Sequence, residues 1–81
     1  MPRVTYFVAL PFIASNKGRF RAGEAVPAQS ATHAQRLAEK LAENGGAVAF
    51  SRSGDPDFGD WDDAVVLGIY GQVPIEVALA A

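Results

Sequence analysis

The first predicted strand is apolar on both of its faces. Residues 3–13 are rich in β-branched and aromatic side chains, and the run is too short and too branched for a buried helix. Pro11 cannot donate a ladder hydrogen bond, so the far end of the strand is expected at a sheet edge or a bulge. Because side chains alternate along a strand, its two faces are Thr5, Phe7, Ala9 and Ile13 on one side and Val4, Tyr6, Val8, Leu10 and Phe12 on the other.

A turn and a second strand follow. Residues 15–18 have the composition of a turn, because Asn and Gly tolerate positive φ and because Ser and Asn bond locally to the backbone. Residues 19–26 are the second predicted strand, with Phe20 directed inward. Together they predict a basic hairpin, named for its outward cations Lys17, Arg19 and Arg21.

Residues 30–44 have the pattern of one amphipathic helix. Either Ser30 or Thr32 is placed to cap its N-terminus, and Thr32 would form a capping box with Gln35. Asn44, Gly45 and Gly46 predict an end in a left-handed cap. Most residues of the apolar stripe are alanine, so the helix is expected to lie close to the sheet. The stripe follows the i, i+3, i+4, i+7 spacing and consists of Ala34, Leu37, Ala38, Leu41 and Ala42.

Two more strands complete the predicted fold. Residues 47–52 and 63–70 are the third and fourth strands, and the acidic segment 53–62 connects them. After Gly71 a short helical turn or a tail is expected. The sequence therefore predicts one α+β domain over residues 1–81, with a four-stranded, largely antiparallel sheet and one helix on one face, in the order β-β-α-β-β.

One sheet face should remain uncovered, because a single helix covers only one side. Phe7 and Ile13, with Val65 or Val66, are expected on the uncovered side, where an apolar surface usually marks an interface. A twofold homodimer through Phe7, Ile13 and Val65 is the predicted arrangement. The alternative is that the C-terminal segment, residues 73–81, folds over this face.

Composition narrows the possible functions. A hydrophobic content of 49% indicates a packed core and not a disordered chain. Without cysteine and with a single histidine, the usual zinc sites cannot form within one chain, so we expect no metal and no cofactor. The N-terminal apolar run is too short to cross a bilayer and lacks a signal cleavage site, so a cytoplasmic location without membrane contact is expected.

Charge is segregated along the chain. The overall charge of −2 and the pI near 5 weigh against a general nucleic-acid binder. The polarity predicts contact between copies or with a charged protein partner. Residues 1–23 carry the bases Arg3, Lys17, Arg19 and Arg21 without an acid, and residues 54–81 carry the acids Asp55, Asp57, Asp60, Asp62, Asp63 and Glu76 without a base.

The acidic segment is the candidate loop for a ligand or partner. A calcium-binding EF-hand loop is a poor match, since Gly59, Asp60 and Val66 stand where other residues are required. Two interpretations remain open: the aromatics receive a cationic group by cation–π contact, or both pin a solvated turn to the sheet. The residues of this candidate loop are Asp55, Asp57, Phe58, Asp60 and Trp61.

Two alternative functions start from the N-terminal half. The basic hairpin suggests nucleic-acid binding, although Phe20 alternates with the arginines and therefore faces away from them. The opening Pro2-Arg3-Val4 looks similar to that of the tautomerase superfamily, which implies an N-terminal proline acting as a general base. Those proteins follow the first strand with a helix, whereas this chain has a hairpin there.

Residues 45–55 and 61–67 carry a further resemblance. Gly-Gly-Ala-Val-Ala-Phe-Ser-Arg-Ser-Gly-Asp, followed by Trp-Asp-Asp-Ala-Val-Val-Leu, resembles small bacterial hypothetical proteins that also begin with a Tyr-Phe-Val strand. That family has no assigned activity, so the resemblance implies an architecture only. The expectation from sequence is a small homodimeric binding or assembly module without catalytic activity, and no catalytic residue is assigned.

Overall fold

The computed structural model describes residues 3–15 and 19–79. Its helices are α1 (Ala31–Leu41), a 3-10 turn (Ala42–Asn44) and α2 (Ile75–Leu79). Its strands are β1 (Val4–Ala14), β2 (Phe20–Ala22), β3 (Val26–Ala28), β4 (Gly46–Asp55), β5 (Asp60–Trp61) and β6 (Val65–Gly71).

All pairings of the sheet are antiparallel. At its centre β1 pairs with β4 from Val4 opposite Gly54 to Phe12 opposite Gly46. The strands β2 and β3 share the other edge of β1, and β5 and β6 share the other edge of β4. Six described strands therefore fill four positions across the sheet. The predicted α+β fold, an antiparallel sheet with one main helix, is confirmed.

Two strand predictions differ in detail. The single strand expected over residues 19–26 is divided into β2 and β3, because the chain leaves the ladder where it passes Pro11. The Gly23 N–H donates to the Pro11 carbonyl at 2.8 Å, and a Cβ at Gly23 would lie 2.9 Å from the proline ring. The predicted connection after residue 52 is also partly strand, since β4 continues to Asp55 and pairs there with β5.

The helix α1 begins as one of the two capping alternatives predicts. Ser30 is the N-cap, and its Oγ accepts a hydrogen bond from the His33 N–H at 3.1 Å. The C-terminal end differs from the prediction. The chain leaves the helix through a 3-10 turn, and Gly45, with φ 154° and ψ −92°, does not form the expected left-handed cap.

The core under α1 consists of alanine. Five alanines, two from the helix and three from the sheet, are completely buried and in mutual contact. Such small side chains let the helix lie close to the strands, as its alanine stripe predicts. Larger residues such as Phe7 and Leu67 pack around this cluster. The five are Ala9, Ala34, Ala38, Ala47 and Ala49.

The helix covers the face that the sequence analysis assigns to the interface. Phe7 packs against the alanine core under α1, so its predicted place on the uncovered side is wrong. Ser51 is opposite both Phe7 on β1 and Val65 on β6, so Val65 lies on the helix side of the sheet as well. Its side chain is 59% exposed. Ile13 is exposed past Pro11, opposite Arg21. The alanine stripe of α1 fits the face with small residues.

The opposite side of the sheet carries the larger side chains. We call it the uncovered face, because α1 packs on the other side and α2 buries none of its five residues. Ile75 and Leu79 of α2 are 69% and 77% exposed, so α2 does not act as the C-terminal lid that the alternative proposed. Two large residues of this face, Phe12 and Val48, are nevertheless buried, at 7% and 4% exposure, and the others are half-buried. Cross-strand register places on the uncovered face Val8, Leu10 and Phe12 of β1, Val48 and Phe50 of β4, and Val66 and Ile69 of β6.

A bulge in β6 ties the sheet to the helix. The register shifts between Ala49 and Phe50, which are opposite Gly68 and Val66, so Leu67 is the extra residue of β6. Its carbonyl accepts a hydrogen bond from the Gln35 side chain of α1 at 2.9 Å.

No helix in the described part of the chain is long and apolar enough to cross a membrane.

Candidate partner-binding surfaces

The candidate acidic loop is a tight hairpin between β4 and β5. Asp55 Oδ1 accepts from the Asp57 N–H at 2.9 Å, and the Asp55 carbonyl accepts from the Phe58 N–H at 3.3 Å. Gly59 completes the turn with φ 67°, a conformation that favours glycine. Asp55 therefore shapes the turn, whereas the exposed Asp57 and Asp60 carry charge on its surface.

The two aromatic residues of this hairpin have different environments. Trp61 is half-buried over Gly54, where a Cβ would lie 2.6 Å from the indole ring. Its ring centroid lies 5.6 Å from that of Tyr6, and the Arg52 guanidinium carbon lies 5.9 Å from it. Phe58 is 75% exposed at the turn. Pinning to the sheet is thus confirmed for Trp61 and wrong for Phe58, and the cation on Trp61 is the chain's own Arg52.

Arg3 lies at the acidic end of the molecule and not with the basic hairpin. Its guanidinium forms an ion pair with the Asp62 carboxylate at 2.5 Å, and Arg52 Nε donates to the Asp62 carbonyl at 3.2 Å. The charge segregation along the sequence is therefore only partly kept in space. The exposed Asp57 and Asp60 of the hairpin still give this end a negative tip.

The basic end lies at the other end of β1. Arg21 is opposite Ile13 and Phe20 is opposite Ala14, whereas the acidic hairpin continues from Gly54, opposite Val4. Arg19 and Arg21 are both exposed. Lys17, the third member of the predicted basic hairpin, lies outside the described residues. The molecule is 46 Å long and about 20 Å across, so the two charged ends are well separated.

An open cavity of about 700 Å³ lies beside β2. It is formed where β2 meets the C-terminal segment, and sequence analysis did not identify it. Among the described residues that line it, four are apolar, and two others bring one positive and one negative charge. They are Arg19, Phe20, Val73, Pro74, Ile75 and Glu76.

The His, Asp and Glu side chains of the described ranges 3–15 and 19–79 form no cluster suited to a metal ion, since no three of them lie close enough together. His33 has a local role, since its Nδ1 accepts from the Gln29 N–H at 3.0 Å beside the helix N-terminus. Pro2, the residue of the tautomerase hypothesis, lies outside the described residues.

The surfaces that stand out are therefore the uncovered face, the acidic hairpin and the cavity. The face was missed because strand periodicity shows two apolar sides without showing which one the helix takes. The sequence did contain a signal for the side that the helix leaves free. The side chains of Val8, Leu10 and Phe50 are too large for close packing under a helix. Comparisons of the chain with protein-family models, with curated proteins and with solved structures find no match.

Proposed function

We propose that this chain is a non-catalytic binding or assembly module that functions as a homodimer, with the uncovered face as its interface. The observation that supports this is the apolar surface of β1, β4 and β6 on the side away from α1. It joins large aliphatic residues and Phe50 in one continuous patch. Val48 in this patch is only 4% exposed and the other members are half-buried, so a second copy would cover the part of the patch that still contacts water. Such contact is unfavourable, and contiguous apolar surfaces usually mark interaction sites.

The small size of the chain adds a reason for association. A domain of 81 residues buries a limited share of its surface, and the core under α1 is made of alanines, which contribute little apolar area. A standard interface buries about 800 Å² per partner, roughly one seventh of the 5588 Å² surface of this molecule. The uncovered face would supply the apolar burial that the helix side lacks.

The charged ends favour one orientation of the dimer. In a face-to-face pair the twofold axis lies in the interface plane, either along β1 or across it. An axis along β1 places like ends together. An axis across β1 places the basic end of each copy, with Arg19 and Arg21, against the partner's acidic hairpin, with Asp57 and Asp60. Exposed ion pairs contribute only about 0–1 kcal/mol each, so they would select the orientation more than the affinity.

Adjacent valines on opposite faces of β6 provide the test. Val66→Asp places a charge on the uncovered face, and Val65→Asp places the same charge on the exposed helix side. Light scattering coupled to size exclusion should give twice the 8.5 kDa chain mass for the native protein and for Val65→Asp, and a monomer for Val66→Asp. The native dimer should persist at high salt because apolar burial is not screened.

The milder variant Val66→Thr separates loss of the dimer from loss of the fold. It keeps the β-branched shape and replaces one methyl group by a hydroxyl, so it should stay folded by circular dichroism while its dimer weakens. A native protein that is monomeric at millimolar concentration would contradict the proposal. A Val66→Asp protein that is folded and still fully dimeric would contradict the assignment of the interface.

A further inference from the structure

We propose that the cavity beside β2 is the receptor for the acidic hairpin of a second copy, with Phe58 as the inserted side chain. This inference rests on the proposed homodimer. Phe58 is the most exposed aromatic residue that the structure describes, at 75%. The cavity volume of about 700 Å³ falls in the range that accommodates small ligands, and is ample for one phenyl ring with part of its turn.

The lining of the cavity suits an aromatic side chain. Phe20, Val73 and Pro74 provide apolar walls from two separate segments of the chain. A phenyl ring in such a pocket exchanges water for carbon contacts, and a single aromatic anchor in a pocket often dominates the energy of an interface. The turn that carries Phe58 is shaped by its own hydrogen bonds, so the ring is presented on a preformed support.

The charges next to Phe58 and in the cavity distinguish this occupant from an uncharged one. Asp57 adjoins Phe58 and Asp60 follows two positions later, and both acids are exposed. Arg19 in the cavity lining is the complementary base. Glu76 in the same lining opposes them, so removal of its charge should strengthen the contact. A neutral or basic group in the cavity would not bind more strongly after the Glu76 charge is removed.

The positions of the cavity and the hairpin on the sheet allow two equivalent contacts in a twofold dimer. Phe20 and Phe12 lie on the same sheet face, because Phe20 is opposite Ala14, two residues from Phe12 along β1. The cavity therefore borders the basic end of the uncovered face, and the acidic hairpin extends from its other end. A twofold axis across β1 brings each hairpin to the partner's cavity. Both contacts form together and close the assembly at two copies.

Sedimentation equilibrium of exposed-residue variants tests the inserted side chain. Phe58→Ser should raise the dimer dissociation constant by roughly 30-fold, the loss typical of an interfacial hot spot. Val65→Ser is the matched control, since it also removes an exposed apolar side chain, and it should leave the constant within about twofold. Glu76→Gln should lower the constant, and Arg19→Glu should raise it.

The outcomes separate this inference from the proposed function. If Val66→Asp abolishes the dimer and Phe58→Ser leaves it unchanged, the sheet-face dimer stands and the cavity assignment is wrong. If Phe58→Ser weakens the dimer and a folded Val66→Asp does not, the cavity contact stands and the sheet-face interface is wrong. A native chain that is monomeric at every concentration overturns both.

Disulfide cross-linking tests the position of the contact directly, because the chain has no cysteine of its own. A mixture of Asp57→Cys and Glu76→Cys chains should form a mixed disulfide under mild oxidation, since both residues flank the proposed contact. The control mixture pairs Asp63→Cys, which also loses one exposed acid, with Glu76→Cys. Equal yields in the two mixtures, or no mixed disulfide in either, would overturn the assignment.

Discussion

The two faces of the sheet differ in side-chain size more than in polarity. On the helix side, Ala9, Ala47 and Ala49 form a low surface on which α1 lies, and the residue opposite Ala49 on β6 is Gly68. On the other side, Val8, Leu10 and Phe50 project from the same two central strands. The difference shows that the helix packs on the face that allows close approach, and that the larger apolar side chains lie on the other face.

This difference limits the stability that the helix side alone can provide. Burial of apolar area contributes roughly 25 cal/mol per Å², and an alanine methyl contributes little area. No large side chain in the described ranges is fully buried. Close packing of small residues makes the helix side sensitive to added volume, whereas the uncovered face should be sensitive to added charge.

The largest expected effect comes from a charge on the helix side. Phe7→Asp places a carboxylate against the alanine core, where the described structure offers it no basic partner, so the protein should lose cooperative folding. Circular dichroism during thermal unfolding checks this. Val65→Asp, on the same side but exposed, should unfold like the native chain. A folded Phe7→Asp monomer would instead favour an interface role for Phe7.

A smaller effect is expected from added volume between helix and sheet. Ala38 is fully buried, and Ala38→Leu should lower the free energy of unfolding by about 1–3 kcal/mol, because a tightly packed contact cannot absorb the extra atoms. Urea unfolding measures the change. Glu39→Leu adds a similar side chain on the exposed neighbour and should change stability by less than about 0.5 kcal/mol. Equal losses in both variants would show that the helix is not closely packed.

The smallest effect concerns the link between α1 and the β6 bulge. Gln35→Ala removes the hydrogen bond to the Leu67 carbonyl and should cost about 1 kcal/mol in urea unfolding. Hydrogen exchange of the β6 amides should accelerate more than that of β1. Arg36→Ala, an exposed change at the next helix position, is the control. Unchanged exchange in β6 would mean that the bulge is held without this hydrogen bond.

Local signals in the sequence predicted most of the elements. The alanine-rich stripe and Ser30 located α1, and the β-branched runs located the long strands. The division of the second strand was not predicted, because it depends on Gly23 meeting Pro11 across the sheet. The acidic hairpin was predicted as a loop, but the separate roles of Phe58 and Trp61 were not, since the position of Trp61 depends on Gly54 in the neighbouring strand.

The sequence by itself determined the order of the main helix and the long strands, the antiparallel sheet and the existence of two apolar faces, because these follow from short-range periodicity and turn chemistry. Tertiary structure alone decided which face α1 covers, that Arg3 pairs with Asp62, and that β2 and the C-terminal segment border an open cavity. Those features join residues up to 59 positions apart. Periodicity along the chain carries no information about which distant side chains meet, because that depends on how well their volumes and charges fit after the sheet has formed.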